Sequence, residues 1–108
     1  MPALSNPDAL PSGEPGVVRA ETTAVEVAVS AEYEWTVVHT GYDEQNNEDL
    51  NPVYLGVNEG TALAGPGSNC AVLPPGAVYT FPVGTYRLRI RCLAGAPLVS
   101  LLSSKGVR

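Results

Sequence analysis

Hydrophobic and polar positions alternate with a period of two through much of this chain. Val25, Val27 and Val29 fall on one side of an extended segment and Glu26, Ala28 and Ser30 on the other, the pattern of a strand with one buried face. After a bend at residues 30–32 the alternation resumes, with Tyr33, Trp35 and Val37 against Glu34, Thr36 and Val38, and runs to Thr40. Residues 53–57 (VYLGV), 70–73 (CAVL) and 77–81 (AVYTF) read as short strands, the last two separated by Pro74, Pro75 and Gly76. The clearest alternation is TYRLRIRCL at 85–93. Tyr86, Leu88, Ile90 and Cys92 share one face, and Thr85, Arg87, Arg89 and Arg91 share the other. A final apolar run at 98–102 has the length of a buried strand and leaves 103–108 as a polar tail.

Between these strands, residues 41–52 (GYDEQNNEDLNP) and 58–69 (NEGTALAGPGSN) carry turn chemistry without periodicity. Residues 1–16 hold Pro2, Pro7, Pro11 and Pro15 with Ser5, Ser12, Gly13 and Gly16, which prevents helix and discourages a central strand. The chain therefore divides into an extended arm over 1–20 and one β domain over 21–108. About seven strands, with turn signals every ~8–12 residues and no helical period, predict an all-β antiparallel sandwich, Ig-like or jelly-roll-like. Its core is expected to collect Val25, Val27, Val29, Trp35, Val37, Leu55, Val72, Val78, Tyr86, Leu88, Ile90, Val99 and Leu101. Pro52, Pro82 and Pro97 are candidates to blunt its edge strands.

Composition narrows the picture. With 108 residues there is room for one domain, and 16% charged residues with eleven Gly and ten Pro favour strands and turns over helices. A net charge of −5 argues against binding a phosphate backbone, so no nucleic acid partner is expected. No apolar run approaches the roughly 20 residues that cross a bilayer, and MPALSNPDAL lacks the basic start and apolar centre of an export signal. The expectation is a chain used without secretion and without a membrane, its two cysteines, Cys70 and Cys92, reduced and buried rather than bridged.

Candidate chemistry is sparse. Nucleophilic catalysis needs a hydroxyl or thiol beside a base, and the one imidazole, His39, continues the inward series of Trp35 and Val37. A hydrogen-bonded histidine at the sheet rim is the expected role. The loop Asp43, Glu44, Gln45, Asn46, Asn47, Glu48, Asp49 has oxygen donors for a cation but not the spacing of a calcium loop, and reads as solvated. Tyr33, Trp35, Tyr42, Tyr54 and Tyr79 could line a sugar-binding face, although Trp35 is in phase with core valines. No catalytic residue, cofactor or metal site is expected. Arg87, Arg89 and Arg91 are the most informative polar residues, half of the six cations on one strand face. They either pair with carboxylates across the same sheet, Glu26 or Glu32, or form a strip that meets an acidic partner.

The succession VEVAVS, VYLGVNEG, LPPGAVYTF, TYRLRIRCLAG and LVSLLSS, behind an extended arm, resembles the small β-sandwich proteins of tailed-phage virions. The likeness covers residues 21–103. It implies a capsid-associated decoration or cement protein, often trimeric, made in the host cytoplasm and placed on the capsid surface, with the major capsid protein or other virion subunits as partners. On that reading the arm, through Pro2, Leu4, Pro7, Leu10 and Pro11, and the strip Arg87, Arg89 and Arg91 are the expected contact residues. A head–tail joining or receptor-binding piece, or a carbohydrate-binding module, are the alternatives.

Overall fold

The computed structural model describes residues 6–59 and 70–105. The described residues form nine strands and no helix: β1 (Ala9–Leu10), β2 (Gly16–Arg19), β3 (Val25–Val29), β4 (Tyr33–His39), β5 (Val53–Val57), β6 (Cys70–Leu73), β7 (Val78–Phe81), β8 (Arg87–Cys92) and β9 (Leu98–Lys105). They build a five-stranded sheet in the order β1-β3-β8-β5-β6 and a four-stranded sheet in the order β2-β9-β4-β7. All pairings are antiparallel except β1 with β3.

The order has a simple origin. β2 pairs with β9, β3 with β8, β4 with β7 and β5 with β6, which is the pairing of one long hairpin whose two arms run side by side. Rolling that ribbon brings β4 against β9 and β5 against β8, and so closes each sheet. Both sheets turn apolar residues toward one shared core. β3, β8, β5 and β6 supply Val27, Leu88, Ile90, Leu55 and Leu73, and β2, β9, β4 and β7 supply Val18, Val99, Leu101, Trp35, Val37 and Phe81. Trp35, the largest of these, is fully buried and donates its indole N–H to the Ser30 carbonyl at 2.8 Å, so its one polar atom is satisfied.

Three residues expected in the core lie outside it. Leu73 stands opposite Val53 and Ala71 opposite Leu55, which turns Val72 outward beside Tyr54. Phe81 stands opposite Trp35, so Val78, opposite Val38, also points out. On both short strands the even positions are outside, because a shift of one residue exchanges the faces. Tyr86 precedes β8 at the exposed rim, where its hydroxyl donates to Glu59 at 2.5 Å. Thr85 takes the buried place instead, its hydroxyl and amide both donating to the Pro82 carbonyl. The final strand also runs further than the apolar run suggested, to Lys105, because Tyr33, Glu34 and Trp35 continue the ladder opposite 103–105.

The arm is woven into the body. Ala9 and Leu10 pair with Ala28 and Val29 at the edge of one sheet, and residues 16–19 pair with β9 at the edge of the other. Leu10 is only 5% exposed, and Val18 and Ala20 are fully buried. Asn6 anchors the approach by side-chain bonds in both directions to the backbone of Arg19, at 2.7 and 3.1 Å. Gly13 passes under the Tyr33 ring, where a Cβ would come within 2.8 Å, while its carbonyl accepts from the Ser103 hydroxyl. Residues 6–20 of the expected arm are thus held against both sheets of the body.

The four edge strands are β1, β6, β2 and β7. They are short, two to four residues, against five to eight for the inner strands. Each abuts a proline: Pro11 after β1, Pro15 before β2, Pro74 after β6 and Pro82 after β7. A proline has no N–H to offer a fifth or sixth strand, so these edges resist extension. Of the three prolines expected in this role only Pro82 fills it, since Pro52 and Pro97 precede the inner strands β5 and β9.

Candidate interaction surfaces

The arginine row lies on the outer face of the five-stranded sheet, where the register places Glu26 opposite Arg89 and Ala28 opposite Arg87. The Arg89 guanidinium donates to Glu26 at 2.7 Å, and Arg87 reaches Glu26 at 3.8 Å and Glu59 at 3.4 Å. Arg87 also donates twice to the Asn58 carbonyl, at 2.7 and 3.0 Å, and Arg91 donates to the Thr22 carbonyl at 2.8 Å. The hydrogen bond from Arg89 holds the Glu26 carboxyl below its usual range against the opposing effect of desolvation, with the charges of both arginines adding to the shift. Arg87 and Arg89 thus meet Glu26 across the sheet, the cross-strand carboxylate pairing expected, whereas Arg91 reaches a backbone carbonyl outside the strands. Exposed pairs of this kind contribute little to stability, because solvent and salt screen them.

Of the expected arm contacts, Pro2 and Leu4 lie outside the described residues. Pro7 is half-buried, Leu10 is in this chain's own core, and Pro11 is exposed. Leu10 is therefore not available to a partner. The sequence pattern missed it because only two residues of the segment form a strand, too few for any period to show.

The outer face of the four-stranded sheet has the opposite character. One row crosses all four strands, Val17 on β2, Ser100 on β9, Val38 on β4 and Val78 on β7. The next row holds Leu102, Thr36 and Thr80, the two threonine hydroxyls 3.0 Å apart. Val78 is 59% exposed, Leu102 49% and Val17 41%. No ionisable side chain stands in either row. Among the described residues of these strands, charges stand at the ends of the face, Arg19, paired with Glu21 and Glu44, beside Leu98 and Glu34 beside Ser104. Exposed Val17, Leu102 and Val78 come from β2, β9 and β7, and half-buried Val38, Thr36 and Ser100 lie between them, so the face is uncharged across its width. The signal was present in the sequence as Leu98 and Leu102 at the off-phase positions of the last strand.

A polar knot closes one end of the molecule. His39 is fully buried, with Nδ1 accepting from the Gly41 amide at 3.0 Å and Nε2 2.7 Å from the Asn51 carbonyl, so the proton sits on Nε2. The expected rim histidine is what the fold contains. Asp49 belongs to the same knot and is buried, which corrects the reading of the loop as uniformly solvated. One of its oxygens accepts from the Asn51 amide at 3.2 Å and side chain at 2.7 Å, the other from the Ala96 amide at 2.9 Å. Asp43 accepts from the amides of Gln45 and Asn47, and Glu44 pairs with Arg19 at 2.9 Å, so these carboxylates organise the loop itself. Among the described residues no three His, Cys, Asp or Glu side chains are grouped to hold a metal ion. Cys70 and Cys92 are not bridged. Cys92 is buried and donates to the Gly95 carbonyl at 3.4 Å.

The five aromatic residues considered for a sugar-binding face do not share one. Trp35 and Tyr33 face the interior side of β4, Tyr54 the outside of the other sheet, and Tyr42 lies in a loop. Tyr79 stacks on Phe81 at 4.7 Å between ring centres, beside a cleft of about 420 Å³ between β6 and β7. No family model matches this chain, and neither a curated protein nor a solved structure matches it.

Proposed function

We propose that this chain is a non-enzymatic virion structural protein, a jelly-roll β-sandwich that binds a capsid surface as a decoration or cement protein. One observation carries a role in assembly: the uncharged outer face of the four-stranded sheet, where exposed Val17, Val78 and Leu102 adjoin Val38, Thr36 and Thr80. Removing such a surface from water is favourable and strands no charge, which suits contact with another protein. The prolines beside every edge strand favour the same reading, since they direct association to a face rather than to strand addition.

The rolled-hairpin order of β2 to β9 supports the jelly-roll assignment within the sandwich class, an architecture that virion shells use and lectins share. Fold alone does not assign function. A glycan-binding module is therefore the second reading, favoured by the cleft beside Tyr79, whose volume is in the range of small-ligand sites. Co-sedimentation with empty tailed-phage shells, run beside a glycan array, separates the two. Pelleting with shells and silence on the array support the virion role, and the reverse supports glycan recognition.

A further inference from the structure

We propose that the cleft between β6 and β7 is a binding site for an uncharged sugar ring, seated against Tyr79. The inference rests on the glycan reading of that cleft and names the class of saccharide. It is separate from the shell contact, because Val78 lies on the outer face of the sheet whereas Tyr79, opposite the buried Val37, lies on the inner one.

The cleft follows from the residues that fill the inner positions of two edge strands. At the other edges Leu10 and Val18, on β1 and β2, close the core. On β6 and β7 the inner residues Leu73 and Phe81 are buried in the same way, whereas Ala71 offers one methyl group and Tyr79 is 48% exposed. The Tyr79 ring is braced by Phe81, 4.7 Å away between ring centres, and its hydroxyl has no hydrogen-bond partner among the described residues. The wall at 82–85 is fixed before any ligand arrives. The Asn58 side chain donates to the Gly84 carbonyl at 3.3 Å and accepts from the Tyr86 amide at 2.8 Å, while the Gly84 amide donates to the Ala31 carbonyl at 2.9 Å. The Thr85 hydroxyl donates to the Pro82 carbonyl at 2.8 Å. A preformed wall spares the ligand the cost of ordering it.

The lining decides the class of ligand. Among the described residues that form it, none is Asp, Glu, Lys, Arg or His, so a charged ligand would lose hydration without meeting a counter-charge. A volume of about 420 Å³ stands toward the lower end of the roughly 300–1,000 Å³ of small-ligand sites, which suits a short saccharide or a terminal sugar unit. The bed, formed by Val57, Ala71 and the Tyr79–Phe81 pair, is apolar and takes the C–H face of a ring. The mouth is polar. Bonded pairs alternate along an antiparallel ladder, and His39 bonds to Ala77, so Thr80 turns its amide and carbonyl away from β4 to the open edge. Those groups and the Tyr79 hydroxyl match the hydroxyls of a sugar and would go unpaired against a plain aromatic ring.

Binding of the full chain to an array that spans neutral, sialylated and sulfated glycans tests this, followed by NMR titration of the protein with a bound neutral glycan. Neutral glycans are expected to bind, and the shifted backbone amides are expected to cluster at 70–71 and 79–85. Y79A removes the stacking ring and A71L fills the bed, and each is expected to weaken binding roughly tenfold or more, with R89A, on the outer face of the other sheet, as the unaffected control. Circular dichroism with thermal melting checks that each variant is folded, and Y79A, at a half-exposed position, carries the test if A71L does not fold. Binding confined to sialylated or sulfated glycans overturns the inference and leaves the glycan reading in place. Neutral binding that persists undiminished in folded Y79A overturns it as well. Silence across the whole array removes both, while shell co-sedimentation decides the virion role independently.

Discussion

The Asp49 carboxylate accepts a hydrogen bond from the Ala96 amide at 2.9 Å and so fastens the loop after β4 to the turn before β9. The tie joins segments 47 residues apart, and His39 anchors Asn51 in the same knot. Burial by itself pushes this carboxyl up, but the Ala96 amide, the Asn51 side chain and amide and the nearby His39 together hold it below the usual carboxylate range.

That direction fixes a pH dependence. A folded value below the unfolded one of about 3.9 gives stability that is complete above the unfolded value and is lost as pH falls through it toward the folded value. D49N removes this contribution, so its urea midpoint should lie below the wild type's at neutral pH and the gap should narrow below about pH 4. D49A strands the Ala96 amide and the Asn51 side chain, and its expected cost at neutral pH is on the order of 3 kcal/mol. A neutral-pH midpoint unchanged in both variants would show that the knot contributes nothing.

Gly95 tests the same site from the other side. Its φ is +70°, and a Cβ there would come within 2.5 Å of the Asn51 side-chain nitrogen and 2.6 Å of an Asp49 oxygen. Gly76 has a comparable φ of +82° but open space around it. G76A should cost about 1–2 kcal/mol from backbone strain alone, and G95A should cost more by about 1–2 kcal/mol because the knot must also shift. Equal losses in thermal denaturation would mean that the knot yields without resistance.

Leu10 is the point where the arm becomes part of the core, and a Cβ added at Gly16 would come within 3.1 Å of its side chain. L10A should destabilise the fold by about 2–4 kcal/mol, as truncation of a buried leucine does elsewhere. An arm that merely trails would give no measurable loss.

For the arginine row the expected energies are small. A double-mutant cycle on Glu26 and Arg89, which lie 2.7 Å apart, should return a small coupling that shrinks with added salt. A coupling that is large and insensitive to salt would mean that the pair is shielded from solvent by something not yet identified.

The sequence made β3, β4 and β8 legible because each has five to seven residues and one buried face, enough for a period of two to show. On the four-residue strands β6 and β7 the period was visible but its phase was not. Only the partners Val53 and Trp35 decide that Leu73 and Phe81, rather than Val72 and Val78, face inward. β1 and β2 were hidden by composition, since their prolines and glycines signal an irregular segment while their pairing depends on neighbours distant in sequence. The uncharged face escaped for a related reason. Val17, Val38, Val78 and Ser100 come from four separate strands, and nothing but the register puts them in one row.

The central claim is that association runs through this row and not through the arginines. Co-sedimentation of L102K and R89E with shells, performed side by side, tests it most directly. Loss of association in L102K with retention in R89E is the expected result. Loss in R89E with retention in L102K would contradict it and return the arginine row to the role of contact surface.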